Sequence, residues 1–186
     1  MKHLVLGGVR SGKSHFSESW INTQLQEQKV DKITYIATSQ AWDEEMRARI
    51  HSHQLSRPSS WDLIEEPILL AEALKKVDDQ GSGVIIECLT LWLTNLLCLE
   101  DEGRFAFEKS QFLSTLESFQ GKIVIVSGEV GLGIMPMNAL ARRFADELGM
   151  LNQILAQLCP QVTLVSAGLP LVLKNESDGS QKRNFD

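Results

Sequence analysis

Short apolar runs recur at Leu4–Leu6, Ile33–Ala37, Val84–Ile86, Ile123–Val126 and Val162–Val165, each bounded by polar or glycine positions and separated by stretches with helical periodicity. Runs this short and this uniformly apolar predict strands buried on both faces. Their alternation with helices predicts an α/β domain built on a doubly wound, mostly parallel sheet. The clearest helix is predicted from about Met137 to Leu158, where Leu140, Phe144, Leu148, Leu151, Leu155 and Leu158 recur at steps of three and four and are expected in the core. A second amphipathic stretch, after a polar turn at Glu100–Gly103, puts Phe105, Phe112, Leu116 and Phe119 on one face. Val162–Ser166 and Leu169–Leu173 are separated by Ala167-Gly168 alone. That is too short for a helical crossover, so this pair predicts a C-terminal hairpin with an antiparallel strand. The segment 175–186 has no periodicity and is expected to be a loose tail, leaving 1–174 as one domain.

The first strand leads directly into Gly7-Gly8-Val9-Arg10-Ser11-Gly12-Lys13-Ser14, which fits G-x-x-x-x-G-K-S/T at every fixed position. The motif needs a strand before it and a helix after it, and both are predicted here. Glycines let the backbone fold back so that successive N–H groups face one anion, and the helix that follows adds its positive end. The fold expected is therefore of the P-loop NTPase type. Lys13 is expected to reach the β- and γ-phosphates and Ser14 to ligate Mg²⁺.

Composition narrows the partners. With 186 residues, 43% of them hydrophobic, the chain can bury a full core without disulfides or metal. A net charge of −6 argues against nucleic acid as a partner. Cys88, Cys98 and Cys159 are odd in number, lack C-x-x-C spacing and have apolar neighbours, so they are expected as buried thiols in a reducing, cytoplasmic compartment. The longest apolar stretch, Leu89–Leu99, is broken by Thr90, Thr94 and Asn95 and is about half the ~20 residues a bilayer requires, so no membrane association is expected.

A P-loop enzyme also needs a carboxylate at the end of a neighbouring strand to hold Mg²⁺. Glu87 and Glu129 both qualify, and Glu87 fits better because it ends its strand directly and stands before a helix. Between Asp43 and Arg57 lies a charged helical pattern with acids first (Asp43, Glu44, Glu45) and then Arg47, Arg49, His51, His53 and Arg57, stopped by Pro58. The helix dipole alone would explain that order. A histidine among arginines is also a phosphate site, because the cations attract the anion and lower the imidazole pKa. Spacing does not choose between His51 and His53.

Together these residues resemble the bifunctional adenosylcobinamide kinase and adenosylcobinamide-phosphate guanylyltransferase family of cobalamin biosynthesis. Besides the P-loop, the matching segments are Tyr35-Ile36-Ala37-Thr38, Asp43 to Met46, Arg49-Ile50 with His53, and Arg57-Pro58 with Trp61. Glu87-Cys88-Leu89-Thr90 through Thr94-Asn95-Leu96-Leu97 follow, then Glu129 to Ile134 with Pro136. Asp146, Gly149, Asn152-Gln153 and Ala167-Gly168-Leu169-Pro170 complete the match, which spans about residues 1–174. Gly128 and Ala139 depart from it, standing where the family often carries Asn and Arg.

The resemblance implies that His53 is the histidine that becomes guanylylated and that Lys13 is catalytic. It implies nucleotide contacts from Gly7, Gly8, Val9, Arg10, Ser11, Gly12, Lys13 and Ser14, from Ala37, Thr38 and Ser39, from Gln54, Leu55, Ser56 and Arg57, and from Glu65 and Glu87. It further implies GTP, ATP and Mg²⁺ as ligands, with Ser14 and Glu87 holding the metal, adenosylcobinamide and its phosphate as substrates, and a homotrimer. A monofunctional P-loop kinase of a small metabolite is the alternative. A guanine-nucleotide switch is disfavoured because the chain lacks an N-K-x-D segment.

Overall fold

A computed structural model describes residues 1–40, 44, 58–134 and 136–176. Its elements in chain order are β1 (Lys2–Gly7), α1 (Lys13–Gln26), β2 (Lys32–Ala37), β3 (Asp62–Glu65), α2 (Leu70–Lys76), β4 (Ser82–Glu87), α3 (Leu89–Cys98), α4 (Glu102–Ser118), β5 (Lys122–Gly128), α5 (Ala139–Leu158), β6 (Gln161–Ser166) and β7 (Leu169–Asn175). The strands form one seven-stranded sheet in the order β3-β2-β4-β5-β1-β6-β7, parallel throughout except for the antiparallel β6–β7 pair.

Every apolar run read as a strand is one. Along β1 the side chains alternate between two cores, as the strand period of two requires: Leu4 and Leu6 join the larger core, and Val5 the smaller. Helices α2 to α5 supply the larger core, centred on Trp92 and Phe112, whose rings lie 5.2 Å apart. The smaller core is closed among the described helices by α1, through Ile21, Phe16, Trp20 and Leu25.

The register aligns the strand ends. Gly7 stands opposite Gly128 on one side and Val165 on the other, and Ala37 lies between Glu65 and Glu87. The turns that follow these strands therefore share one edge of the sheet, where ligands of open α/β sheets bind.

Several boundaries differ from expectation. α4 begins within the segment read as a turn, because the Asp101 carboxylate caps it by accepting from Arg104 N at 2.9 Å, and Phe119 is its C-cap rather than a helical residue. α5 starts at Ala139 with Asn138 as cap, and Leu140, expected in the core, is exposed. β3 and α2 carried no periodic signal: β3 is a short edge strand bracketed by acids, and α2 is seven residues long. β7 runs to Asn175, so the ordered domain passes the boundary expected at 174, and residues 177–186 lie outside the described residues.

All three cysteines are free, but only Cys159 is buried; Cys88, the N-cap of α3, is partly buried, and Cys98, its last residue, is exposed. Burial pushes the Cys159 thiol up to about 12, and burial with the nearby Glu87 charge pushes Cys88 to about 11. No helix among the described residues is long and apolar enough to cross a membrane.

Candidate active site

The phosphate loop spans the gap from β1 to α1. α1 begins at Gly12 with no side-chain cap, so its first N–H groups face outward without a partner from a capping side chain. Arg10 and Gly12 have φ of 54° and 96°, left-handed values that fold the loop back on itself. A Cβ on Gly7 would collide with the Ser11 hydroxyl and lie 2.6 Å from Val165 O, whereas a Cβ on Gly8 would meet nothing within 4 Å. Gly7 is thus a packing glycine, and Gly8 lines open space. Lys13 Nζ donates to Gly8 O at 3.1 Å, arching over that space, and Ser11 Oγ is buried with no hydrogen-bond partner among the described residues.

The loop is buttressed from the hairpin. Ala167 and Gly168 have φ of 51° and 78°, the pair of left-handed residues that a type I′ turn demands. Gly168 N donates to Ser11 O at 2.8 Å, and its Cα leaves just 3.1 Å for a Cβ on Gly12. The turn read from the sequence as a strand connection is also a support for the phosphate loop.

Ser14 Oγ donates to Glu87 Oε1 at 2.7 Å, joining the first turn of α1 to the end of β4. Glu129 begins beside the loop, donating its N–H to Gly7 O at 3.0 Å, but its carboxylate turns back to accept from Gly131 N at 2.6 Å. Of the two carboxylates considered, Glu87 is the one that touches the P-loop serine. Among the described residues, no cluster of three His, Cys, Asp or Glu side chains could hold a metal by itself.

Thr38 and Ser39 follow β2, and Glu65 ends β3, so the structure gathers Ala37, Thr38, Ser39, Glu65 and Glu87 on the edge that carries the P-loop. His53, Gln54, Leu55, Ser56 and Arg57, with Arg47, Arg49 and His51, lie outside the described residues.

Beyond Thr38, read above as a nucleotide contact, three residues that carried no assigned role, Asn95, Thr90 and Asn152, set these strand ends. Thr38 Oγ1 donates to Cys88 O at 2.7 Å and accepts from Cys88 N at 2.9 Å, while Asn95 Nδ2 donates to Thr38 O at 2.8 Å and Pro67 O at 3.1 Å. Thr90 Oγ1 accepts from Gly128 N at 2.8 Å, and Asn152 bonds both Ser127 Oγ and Gly128 O. The available signal was polarity inside an apolar helix: a buried Asn or Thr there must find a partner.

The comparisons decide the family. A family model described as cobinamide kinase / cobinamide phosphate guanyltransferase matches residues 3–173. The chain belongs to this family. Its relatives include a bifunctional adenosylcobalamin biosynthesis protein of Pseudomonas aeruginosa, 44% identical over 176 residues, covering 95% of this chain and 99% of the relative. Proteins of the same description from Escherichia coli and Salmonella typhimurium are each 35% identical, covering 94% of this chain and the whole of each relative. Among solved structures, a KaiC-like protein from Pyrococcus horikoshii superposes with a TM-score of 0.50 at 11% identity, covering 88% of this chain and 69% of that one. At that identity the likeness concerns the fold alone. The family description and the names of these relatives are those of a bifunctional cobinamide kinase and guanyltransferase of adenosylcobalamin biosynthesis.

Proposed function

We propose that this protein is a bifunctional enzyme that phosphorylates adenosylcobinamide with ATP or GTP and then transfers GMP from GTP to the product. The observation that carries the reading is the Ser14–Glu87 contact beside the Lys13 arch, within a family match that spans nearly the whole chain. Open space over Gly8 and the unpartnered Ser11 hydroxyl suit a bound phosphate chain. Ser14 and Glu87 would hold Mg²⁺, which supplies charge neutralisation on the phosphates.

In the kinase half-reaction the hydroxyl of the aminopropanol arm attacks the γ-phosphorus, and its bond to the β-bridging oxygen breaks. Lys13 and the outward N–H groups of the loop stabilise the negative charge that collects on the leaving diphosphate. In the transferase half-reaction a neutral His53 nitrogen attacks the α-phosphorus of GTP and expels pyrophosphate. The phosphate of adenosylcobinamide phosphate then attacks the same phosphorus, breaks the P–N bond and frees the histidine. At a reference pKa of ~6.5, roughly three quarters of an unperturbed histidine is neutral at pH 7 and available to attack. Guanine-nucleotide contacts from Ala37, Thr38, Ser39, Glu65 and Gln54–Arg57 belong to the same reading. So do one domain with a loose tail, a homotrimer, and a cytoplasmic location supported by the free cysteines.

The test uses GTP labelled at the α- or the γ-phosphorus, with wild type and His53→Ala. After denaturation, acid-labile and alkali-stable label on wild type from the α position alone, lost in the variant, is the expected result. Absence of covalent label, with corrinoid phosphorylation intact, would reduce the enzyme to a kinase.

A further inference from the structure

Where β4 ends, the Glu87 carboxylate is turned toward the first turn of α1, and the main chain beyond it is held by one residue of the neighbouring strand. The pairing of β4 with β5 ends at Ile86, while its pairing with β2 runs one step further, with Ala37 opposite Glu87. Thr38, the residue after β2, is fully buried and carries that contact on. Its N–H donates to Glu87 O at 3.1 Å, and its hydroxyl accepts from Cys88 N at 2.9 Å while donating to Cys88 O at 2.7 Å. The peptide plane between Glu87 and Cys88 is therefore gripped at its carbonyl and at its N–H by the same residue. The Thr38 carbonyl is taken in turn by Asn95 Nδ2 at 2.8 Å, which also reaches Pro67 O at 3.1 Å. Asn95 lies on α3, the helix that Cys88 opens as N-cap, so β2, β4 and α3 close on one another at this point.

A peptide plane held at both edges fixes the backbone torsion that follows Glu87, and the strand pairing holds the side before it. The direction of the Glu87 Cα–Cβ bond follows, and with it the placement of Oε1 at 2.7 Å from Ser14 Oγ. This hydroxyl and this carboxylate are hard oxygen donors, the kind Mg²⁺ takes alongside the phosphates of its nucleotide. We propose that Thr38 is a positioning residue for the nucleotide–magnesium site: its hydroxyl, by holding both main-chain groups of Cys88, aims the Glu87 carboxylate at Ser14 and the metal. The inference rests on the function proposed above and deepens it. Thr38 serves the nucleotide through Glu87 rather than by touch, because its N–H, hydroxyl and carbonyl all end on protein atoms. Residues that orient a metal ligand from behind are worth roughly 10–100-fold in metal affinity or activity.

The experiment measures, by calorimetry, the affinity for a GTP analogue with a methylene bridge between the α- and β-phosphorus, which no nucleophile on the protein can cleave there. Titrations with Mg²⁺ and with EDTA in its place are run on wild type, Thr38→Val, Thr38→Ser and Thr163→Val. The last is a stability control: it removes another buried hydroxyl bond, to His3 Nε2 at 2.9 Å, on a strand three places from β4. The expected result is a magnesium-dependent gain in affinity that falls at least about tenfold in Thr38→Val, with the affinity in EDTA unchanged. Thr38→Ser and Thr163→Val should keep the gain. In the ligand-free protein the Cys88 amide should exchange its hydrogen faster in Thr38→Val than in wild type, as read by NMR. If Thr38→Val does not fold, Thr38→Cys, which keeps the volume and weakens both hydroxyl bonds, is read in its place. An unchanged magnesium gain or an unchanged Cys88 exchange overturns the proposal. So does an equal loss in EDTA, which would make Thr38 a direct nucleotide contact, and so does an equal loss in Thr163→Val, which would reduce the effect to stability. A wild type whose affinity ignores magnesium removes instead the Ser14–Glu87 metal site that the function reading requires, and this inference with it.

Discussion

The two glycines that open the phosphate loop should fail in opposite ways when each is changed to alanine. In Gly7→Ala the new methyl strikes the Ser11 hydroxyl and the Val165 carbonyl, which is sheet backbone. Gly7 cannot retreat, because it is paired in register with both Gly128 and Val165. Overpacking of this kind costs roughly 1–3 kcal/mol. For a chain of this length, at roughly 2–4 °C per kcal/mol, the melting temperature should fall by about 2–12 °C without ligand. In Gly8→Ala the methyl meets no protein atom within 4 Å and φ is not left-handed, so the unliganded melting temperature should hold or rise by a degree or two. The methyl would instead occupy space assigned to phosphate. Wild type with Mg²⁺ and GTP at about a hundred times Kd gains roughly 2.7 kcal/mol. That corresponds to a rise of about 5–11 °C, and Gly8→Ala should lose most of it. Thermal unfolding of the three proteins with and without GTP is the assay. Equal destabilisation of both variants without ligand, or a full GTP shift in Gly8→Ala, would refute the division of labour between the two glycines.

Glu87→Gln keeps an oxygen for the Ser14 hydroxyl but removes the charge offered to Mg²⁺, so kcat should drop roughly 10²-fold or more with little change in melting temperature; steady-state kinetics across a magnesium titration checks it. Asn95→Leu strands the Thr38 and Pro67 carbonyls, and at about 1–3 kcal/mol for each buried group the variant should be destabilised by several kcal/mol in urea unfolding. His3 is buried between Phe16 and Trp20, and burial lowers its pKa from 6.5 to about 4. The unfolded chain therefore takes up a proton near pH 6.5 that the folded chain refuses, so stability falls as pH drops from about 6.5 to about 4, by on the order of 3 kcal/mol in all. His3→Phe should flatten that part of the pH–stability curve; an unchanged slope would place the proton uptake elsewhere.

What the sequence by itself determined was what depends on local pattern. Strands buried on both faces leave uninterrupted apolar runs, an amphipathic helix leaves a repeat of three and four, and the phosphate loop needs its glycines, lysine and serine in fixed order along one short segment. The fold class, the hairpin and the position of Glu87 at the end of its strand were legible for that reason. Tertiary structure decided the rest, because it depends on partners distant in the chain. Glu87 lies 73 residues from the Ser14 hydroxyl it accepts, and Asn95 is 57 residues from the Thr38 carbonyl it holds. Gly168 supports a loop near the opposite end of the chain. Sequence period misjudged Leu140 and apolar neighbours misjudged Cys98, because local pattern sets the face of a helix but not whether anything packs against it. Burial is a property of neighbours, and neighbours exist only once the sheet has brought its strand ends to a common edge.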